Sequence, residues 1–394
     1  MRKTLNPLVV ILLLVTAAAV NTAAQTELRQ PATGNAQLVA TNSPATAAKG
    51  STLSTNSPAT QAVVNSLASL PEADALIYIN PQRILNEVLP KFLPAKDIED
   101  MRKGFDEVRK TAGVDPTKID YVVIAARFKK PTADLSFQPP EFMVVSSGDF
   151  SADSLLVLAR MAAQGKLRDE KYGDKTMGLM TIDPIAKESE KNPLLKAFSE
   201  VGIVALNANT IATGTPGYLR AAIDASTGKD RISTETLNSL VRDPNALISL
   251  AGSPWHSFAK SFGMLGTETT PRAARCESKI GDFYAALTMD ATNFMIRGVS
   301  NADNPDTAKI LANLYSGLLH YATSSIPDPT AQSLLKGLAV TAEGDEVFFN
   351  ADFSQQMVLD LIKQQMKPKQ VEATDVKEIT KPVHRRHRRR GRRH

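Results

Sequence analysis

The chain has 394 residues, 43% of them hydrophobic, a formal net charge of +5 and one cysteine, Cys276, which excludes an internal disulfide and leaves stability to the core. The charge is unevenly placed: Lys367 to His394 carries +8 and Arg2 with Lys3 another +2, so residues 25–366 carry −5. A mildly acidic body excludes a composition-built nucleic-acid face, and no specific nucleic-acid binding is expected.

Residues 1–24 have the order of a secretory signal: Arg2 and Lys3, an apolar run from Leu8 to Val20, then small residues with Thr22 and Ala24 before Gln25. Ala17 and Ala19 offer an earlier cut. The apolar run is shorter than the ~20 residues a helix needs to cross a bilayer, and no later segment reaches that length, so no transmembrane segment is expected in the mature chain. No cysteine stands near the cut to carry a lipid. The expected location is periplasmic or extracellular.

Residues 25–66 read as a disordered linker, rich in Ala, Thr, Ser, Asn and Pro, with Thr-Asn-Ser-Pro-Ala-Thr at 41–46 and again at 55–60. Such a segment lacks the large apolar side chains that would offset the entropy of ordering. A first α+β unit follows over 67–230. It opens with a strand at Ala75–Asn80 and a helical piece at Pro81–Leu93 broken at Pro90. The next element is an amphipathic helix at Asp97–Ala112 with Ile98, Met101, Phe105 and Val108 on one face and Gly113 as its stop. Strands are expected at Asp120–Phe128 and Glu141–Ser147, then a helix at Ser151–Gln164 with Leu155, Leu158, Ala159 and Ala162 inward. A strand at Thr176–Ile182, a hairpin of Val201–Leu206 with Thr210–Thr213, and a helix at Pro216–Ala225 complete it.

A second unit over 231–366 repeats the order. Ala246-Leu247-Ile248 echoes Ala75-Leu76-Ile77, and Phe294-Met295-Ile296 echoes Phe142-Met143-Val144. Its strands are expected at Phe283–Met289 and Phe294–Val299. A helix runs from Asn304-Pro305-Asp306 to about Tyr321 with Leu311, Leu314, Tyr315 and Leu318 inward. A hairpin turns at Gly344-Asp345, and a helix at Gln355–Gln365 closes the unit. The expected fold is therefore α+β, two similar β-α-β-β-α-β-β-α units with largely antiparallel sheets. The offset between matching phrases falls from 171 to 152 along the chain, as deletions in the second copy would produce.

Chemistry is sparse. His256 and His320 fall on polar helix faces with no metal-ligand spacing, so no metal and no cofactor are expected. Ser-x-x-Lys occurs at Ser226/Lys229, Ser257/Lys260 and Ser333/Lys336, about as often as chance gives, without the Ser-Asp-Asn and Lys-Thr-Gly partners that such nucleophiles use. Ser257 with Lys260, opening a helix after Pro254-Trp255, is the catalytic candidate of a Ser/Lys hydrolase or acyltransferase alternative. Gly214-Thr215-Pro216-Gly217 could offer backbone amides to an anion, but it lacks the Lys-Ser/Thr of a phosphate loop, and a hairpin exit capped by Thr215 accounts for it as well.

The tail, residues 367–394, is the loud feature. Arg385, Arg386, Arg388, Arg389, Arg390, Arg392 and Arg393, interleaved with His384, His387 and His394, form a self-repelling block expected to be disordered. Guanidinium groups pair with phosphate and carboxylate, so the candidate partners are lipid head groups and anionic envelope polymers.

Two phrases carry a resemblance. Leu70-Pro71-Glu72-Ala73-Asp74-Ala75-Leu76-Ile77-Tyr78-Ile79 resembles the opening of uncharacterised bacterial exported proteins, acidobacterial ones among them. Ala212-Thr213-Gly214-Thr215-Pro216-Gly217, with Leu219-Arg220-Ala221-Ala222-Ile223-Asp224 after it, is similar to a second phrase in them. The likeness spans Leu70 to Met366 and implies export without an activity. The reading is a non-enzymatic envelope protein held to anionic surfaces by its tail. Its alternatives are the Ser/Lys enzyme and a carrier of an apolar ligand between the lobes.

Overall fold

The computed structural model describes residues 58–128, 140–182, 199–253, 280–325 and 329–366. The signal, most of the linker, Cys276, Ser257, Lys260 and the basic tail lie outside them.

The fold is α+β. Twelve strands form one sheet in the order β11-β12-β10-β9-β8-β1-β2-β3-β7-β6-β5-β4, and every pairing is antiparallel. The first seven strands are β1 (Ala75–Ile79), β2 (Ile119–Arg127), β3 (Glu141–Gly148), β4 (Arg168–Tyr172), β5 (Lys175–Thr181), β6 (Glu200–Asn207) and β7 (Thr210–Gly214). The rest are β8 (Ile248–Gly252), β9 (Ile280–Met289), β10 (Asn293–Ala302), β11 (Ala339–Glu343) and β12 (Glu346–Ser354). At the centre β1 pairs with β8 from Ala75↔Gly252 to Ile79↔Ile248, so the two expected units contribute adjacent halves of one sheet.

Helices cover both faces. On one face Leu76, Tyr78, Val123, Ala125, Met143, Val145, Val204 and Ala212 meet α1 (Pro58–Leu67), α6 (Pro216–Ser226) and α7 (Thr234–Leu240) in the largest buried cluster. On the other face Ala205 and Ile211 lie under α5 (Ala152–Ala162), against which α4 (Ala95–Ala112) packs. The strand register carries that same face to Val347 and Phe349, under α8 (Pro305–Ser325). It also carries it to Phe294, Ala351 and Phe353, under α9 (Pro329–Lys336) and α10 (Gln355–Met366). Alternation along each strand makes this division, because successive side chains point to opposite faces.

Most expected elements fall where the pattern places them. Val108 is buried on α4, with Ile98, Met101 and Phe105 half-buried beside it, and Gly113 ends that helix at φ 66. That left-handed value suits glycine and explains the stop. The stretch broken at Pro90 is α2 (Pro81–Arg83), a π-type turn at Ile84–Val88, and α3 (Leu89–Phe92). The wide turn just before Pro90 absorbs the missing N–H and the ring's bulk.

Several expectations need correction. The linker expected to run to residue 66 ends sooner, because Pro58–Leu67 is helical and buries Val64 and Leu67. On α8 the buried stripe is Ala308, Leu311, Ala312 and Tyr315, and Leu314, expected inward, is exposed. That is a rotation of roughly 60° at 100° per residue, permitted because the helix is apolar on more than one arc. On α5, Ala152 and Leu156 are buried, while Ala162, expected inward, is exposed. Thr215 stands at the N-cap position of α6 but makes no capping bond; its hydroxyl donates to the Phe142 carbonyl at 3.3 Å. Strand β4 and helices α7 and α9 had no expected counterpart.

Candidate functional site

Ser257 and Lys260, and Arg385 to Arg393, lie outside the described residues. Ser226 and Lys229 are both committed locally: the Ser226 hydroxyl donates to Ile223 O at 2.6 Å, and Lys229 Nζ reaches Asp224 Oδ1 at 3.4 Å. Ser333 and Lys336 sit one turn apart on α9. Among the described residues no three His, Cys, Asp or Glu side chains gather as a metal site would.

The turn Gly214–Gly217 has an occupant from the chain itself. Glu141, at the start of β3, is buried, and its carboxylate lies against Gly217 in the first turn of α6. A Cβ at Gly217 would collide with Glu141 Oε1, so glycine is what lets the carboxylate approach the helix N-terminus. Arg127 closes the arrangement, its Nη2 and Nε donating to Glu141 Oε2 at 2.5 and 3.1 Å. The same guanidinium lies 4.8 Å from the Tyr218 ring centre. Burial pushes the Tyr218 phenol well above its ordinary value, and its hydroxyl donates to Glu72 O at 3.0 Å. This centre joins β2, β3 and α6, and its charges answer one another.

Other charged groups are also spent internally. Arg220 donates to Glu170 Oε1 at 2.6 Å while Arg168 bridges Glu170 and Glu200, and the Arg220 bond holds the Glu170 carboxyl below its ordinary range. Arg83, Arg109, Arg160 and Arg297 likewise each have a carboxylate partner. A cleft of about 400 Å³ between the Asn86–Lys91 turn and Met289–Ala291 contains Glu87, paired with Arg83, and Asp290. The backbone N–H groups of Thr292 and Asn293 donate to Asp290 at 2.7 Å each and lower its pKa.

A second groove, about 550 Å³, runs between α8, α9 and β11. Leu319, Leu335, Leu338 and Val340 form its apolar wall; Ser316, His320, Thr323, Ser324, Gln332 and Lys336 form its polar edge. Among the described residues no carboxylate lines it. The Thr323 and Ser324 hydroxyls donate to Leu319 O and Tyr321 O, and His320 and Lys336 are the basic side chains among its described lining residues. Sequence reasoning placed His320 on a polar helix face and stopped there. Its partner across the groove needed α9, whose sequence signal was Pro329 at a first helical position.

No family model matches the chain, and no curated protein matches it. Among solved structures it is similar to crystal forms I and III of TP0453, at 11% identity to each. The alignments cover 76% of this chain and 96% and 97% of those chains, with TM-scores of 0.37 and 0.38. Likeness of that degree assigns no role to any residue.

Proposed function

We propose that the protein is an exported envelope protein whose folded body is held to anionic surfaces by its C-terminal arm. The supporting observation is the partition of charge. Seven arginines stand within residues 385–393, a stretch with no Asp or Glu, whereas seven of the ten described arginines of the body have a carboxylate partner. Of the other three, Arg231 donates to backbone carbonyls, Arg242 lies over the Tyr284 ring, and Arg102 has no carboxylate partner among the described residues. A matched charge has little left to offer a partner; a block of arginines with no acidic residue among them in sequence attracts any polyanion within a Debye length. Export rests on the order of residues 1–24, and kinship with uncharacterised bacterial exported proteins on the two phrases quoted above.

The body is an internal duplication in this reading. Counting outward from the central pair, the order β1-β2-β3-β7-β6 has the counterpart β8-β9-β10-β12-β11. The hairpin β4–β5 is then an addition to the first copy.

The test compares the full chain with one truncated after Pro382, on vesicles containing anionic lipid and on lipopolysaccharide. Full-length protein is expected to bind at low salt, to release as salt rises past ~0.1 M, and to bind more tightly as pH falls through the ordinary histidine value of about 6.5. The truncated chain is expected to lose that salt-sensitive binding and keep its melting temperature. Equal low-salt binding by both chains would overturn the anchor.

A further inference from the structure

Helix α8 carries large apolar side chains on the side away from the sheet. Ile310 is 62% exposed, Leu314 51% and Tyr321 67%. At 100° per residue these three fall within about 40° of arc, one stripe along the outer face. The buried stripe of Ala308, Leu311, Ala312 and Tyr315 occupies a different side, so core packing does not account for the outer one. From Ile310 to Ser325 the helix has no Asp or Glu; one turn earlier Asp306 stands within about 40° of Ile310, exposed and paired with Lys309 at 3.6 Å. His320 and Ser324 lie between this stripe and the groove shared with α9, where Lys336 stands. Neither His320 nor Lys336 has an ion-pair partner among the described residues.

We infer that α8 and the edge of its groove dock on the headgroup layer of an anionic lipid bilayer. Ile310, Leu314 and Tyr321 enter the acyl boundary, and Lys336 with His320 meets lipid phosphate. Three observations select this occupant. An outward apolar stripe with a tyrosine and no carboxylate from Ile310 onward suits an interface that is apolar below and anionic above. The basic groups on its flank complement phosphate. Helix α10 packs beside α9, which packs on α8, and the 28 residues after Met366 begin there. Arg385 follows Met366 by 19 residues, a reach of at most ~65 Å, so arm and stripe can engage one surface. The inference deepens the anchoring reading by naming a bilayer as the surface, and rests on that reading only for the arm's share of the attraction.

The experiment places an indole on the stripe by Tyr321→Trp in the full chain and mixes it with phosphatidylglycerol–phosphatidylcholine vesicles brominated along the acyl chains. The parent, which keeps Trp255, is the baseline. Quenching above that baseline is expected, persisting at ~1 M salt, where the Debye length is ~3 Å. Ile310→Ser with Leu314→Ser is expected to lower partitioning about tenfold or more at unchanged melting temperature, both sites being exposed. His320→Gln with Lys336→Gln is expected to reduce the preference for anionic over zwitterionic vesicles. Retained quenching in the chain truncated after Pro382 would support the docking face and remove the arm. Full-length protein bound at low salt with no quenching would overturn the docking face and leave the arm standing. A lipid-free dimer abolished by Ile310→Ser with Leu314→Ser would overturn it in favour of a second copy as the occupant.

Discussion

Helix α6 in the first half of the sheet buries Tyr218, Leu219, Ala222, Ile223 and Ala225, while α8 in the second half buries one stripe and turns Ile310, Leu314 and Tyr321 outward. The contrast extends to charge. The first half encloses Glu141 with Arg127 at the start of β3; Asn293, at the start of β10, instead belongs to an open turn with its N–H on Asp290. Strand order runs alike in both halves, so the pairing pattern is not what separates them. The difference lies between these two helices and not between whole halves, because α5 of the first half also exposes Val157 and Met161. The outward stripe of α8 is what carries the inferred docking.

Three substitutions test that contrast. The largest effect is expected for Leu219→Ala, which opens a cavity in the largest cluster and should cost about 2–5 kcal/mol, read by denaturant unfolding. The same change at Leu314 should stay within about 0.5 kcal/mol. A Leu314→Ala loss as large as that at Leu219 would mean the stripe is part of the core, and the contrast would collapse. Next is Glu141→Gln, which leaves Arg127 short of its counter-charge beside Tyr218. Because Arg127 is a third exposed, a loss of about 1–3 kcal/mol is expected, below that for a fully buried pair. An unchanged midpoint would show that the helix N-terminus and solvent already compensate the arginine.

The smallest effect concerns pH. The carboxyl of Glu170 is held below its ordinary value by the Arg220 bond, so its contribution is fully present above about 4.5 and is lost as pH falls through the depressed native value. Glu170 is part-exposed, which reduces the contribution. Glu170→Gln should therefore lower stability slightly at neutral pH and flatten the decline below about 4.5. An equally steep acid decline in the variant would assign that slope to other carboxylates.

Much of the fold was legible because local rules governed it. Gly113 ended α4, Ser151 capped α5 with its hydroxyl accepting from Ser154 N, and Asn304 opened α8 with its side chain accepting from Thr307 N. Each signal acts within four residues, so the chain displays it directly. The missed elements lacked one. Strand β4, Arg-Asp-Glu-Lys-Tyr, is almost wholly charged and is a strand because it edges β5 and pairs Arg168 and Glu170 with Glu200 and Arg220. Helix α1 reads as low-complexity linker at its start and is fastened by Val64 and Leu67 against α7 and the sheet. The groove was illegible for the same reason, since Lys336 and His320 are brought together by a helix pair that neither residue announces.

The charge partition and the alternation of strands with helices were determined by the sequence itself, because periodicity and charge are properties of neighbours along a chain. Tertiary structure alone decided that β1 pairs with β8 to make one sheet, that Glu141 fills the Gly214–Gly217 turn, and that α8 shows Leu314 to the outside. All three depend on which of several acceptable surfaces meet. A helix apolar on two arcs or a turn rich in amides satisfies local rules equally well in more than one orientation. Long-range packing and the pairing of buried charge select among those orientations.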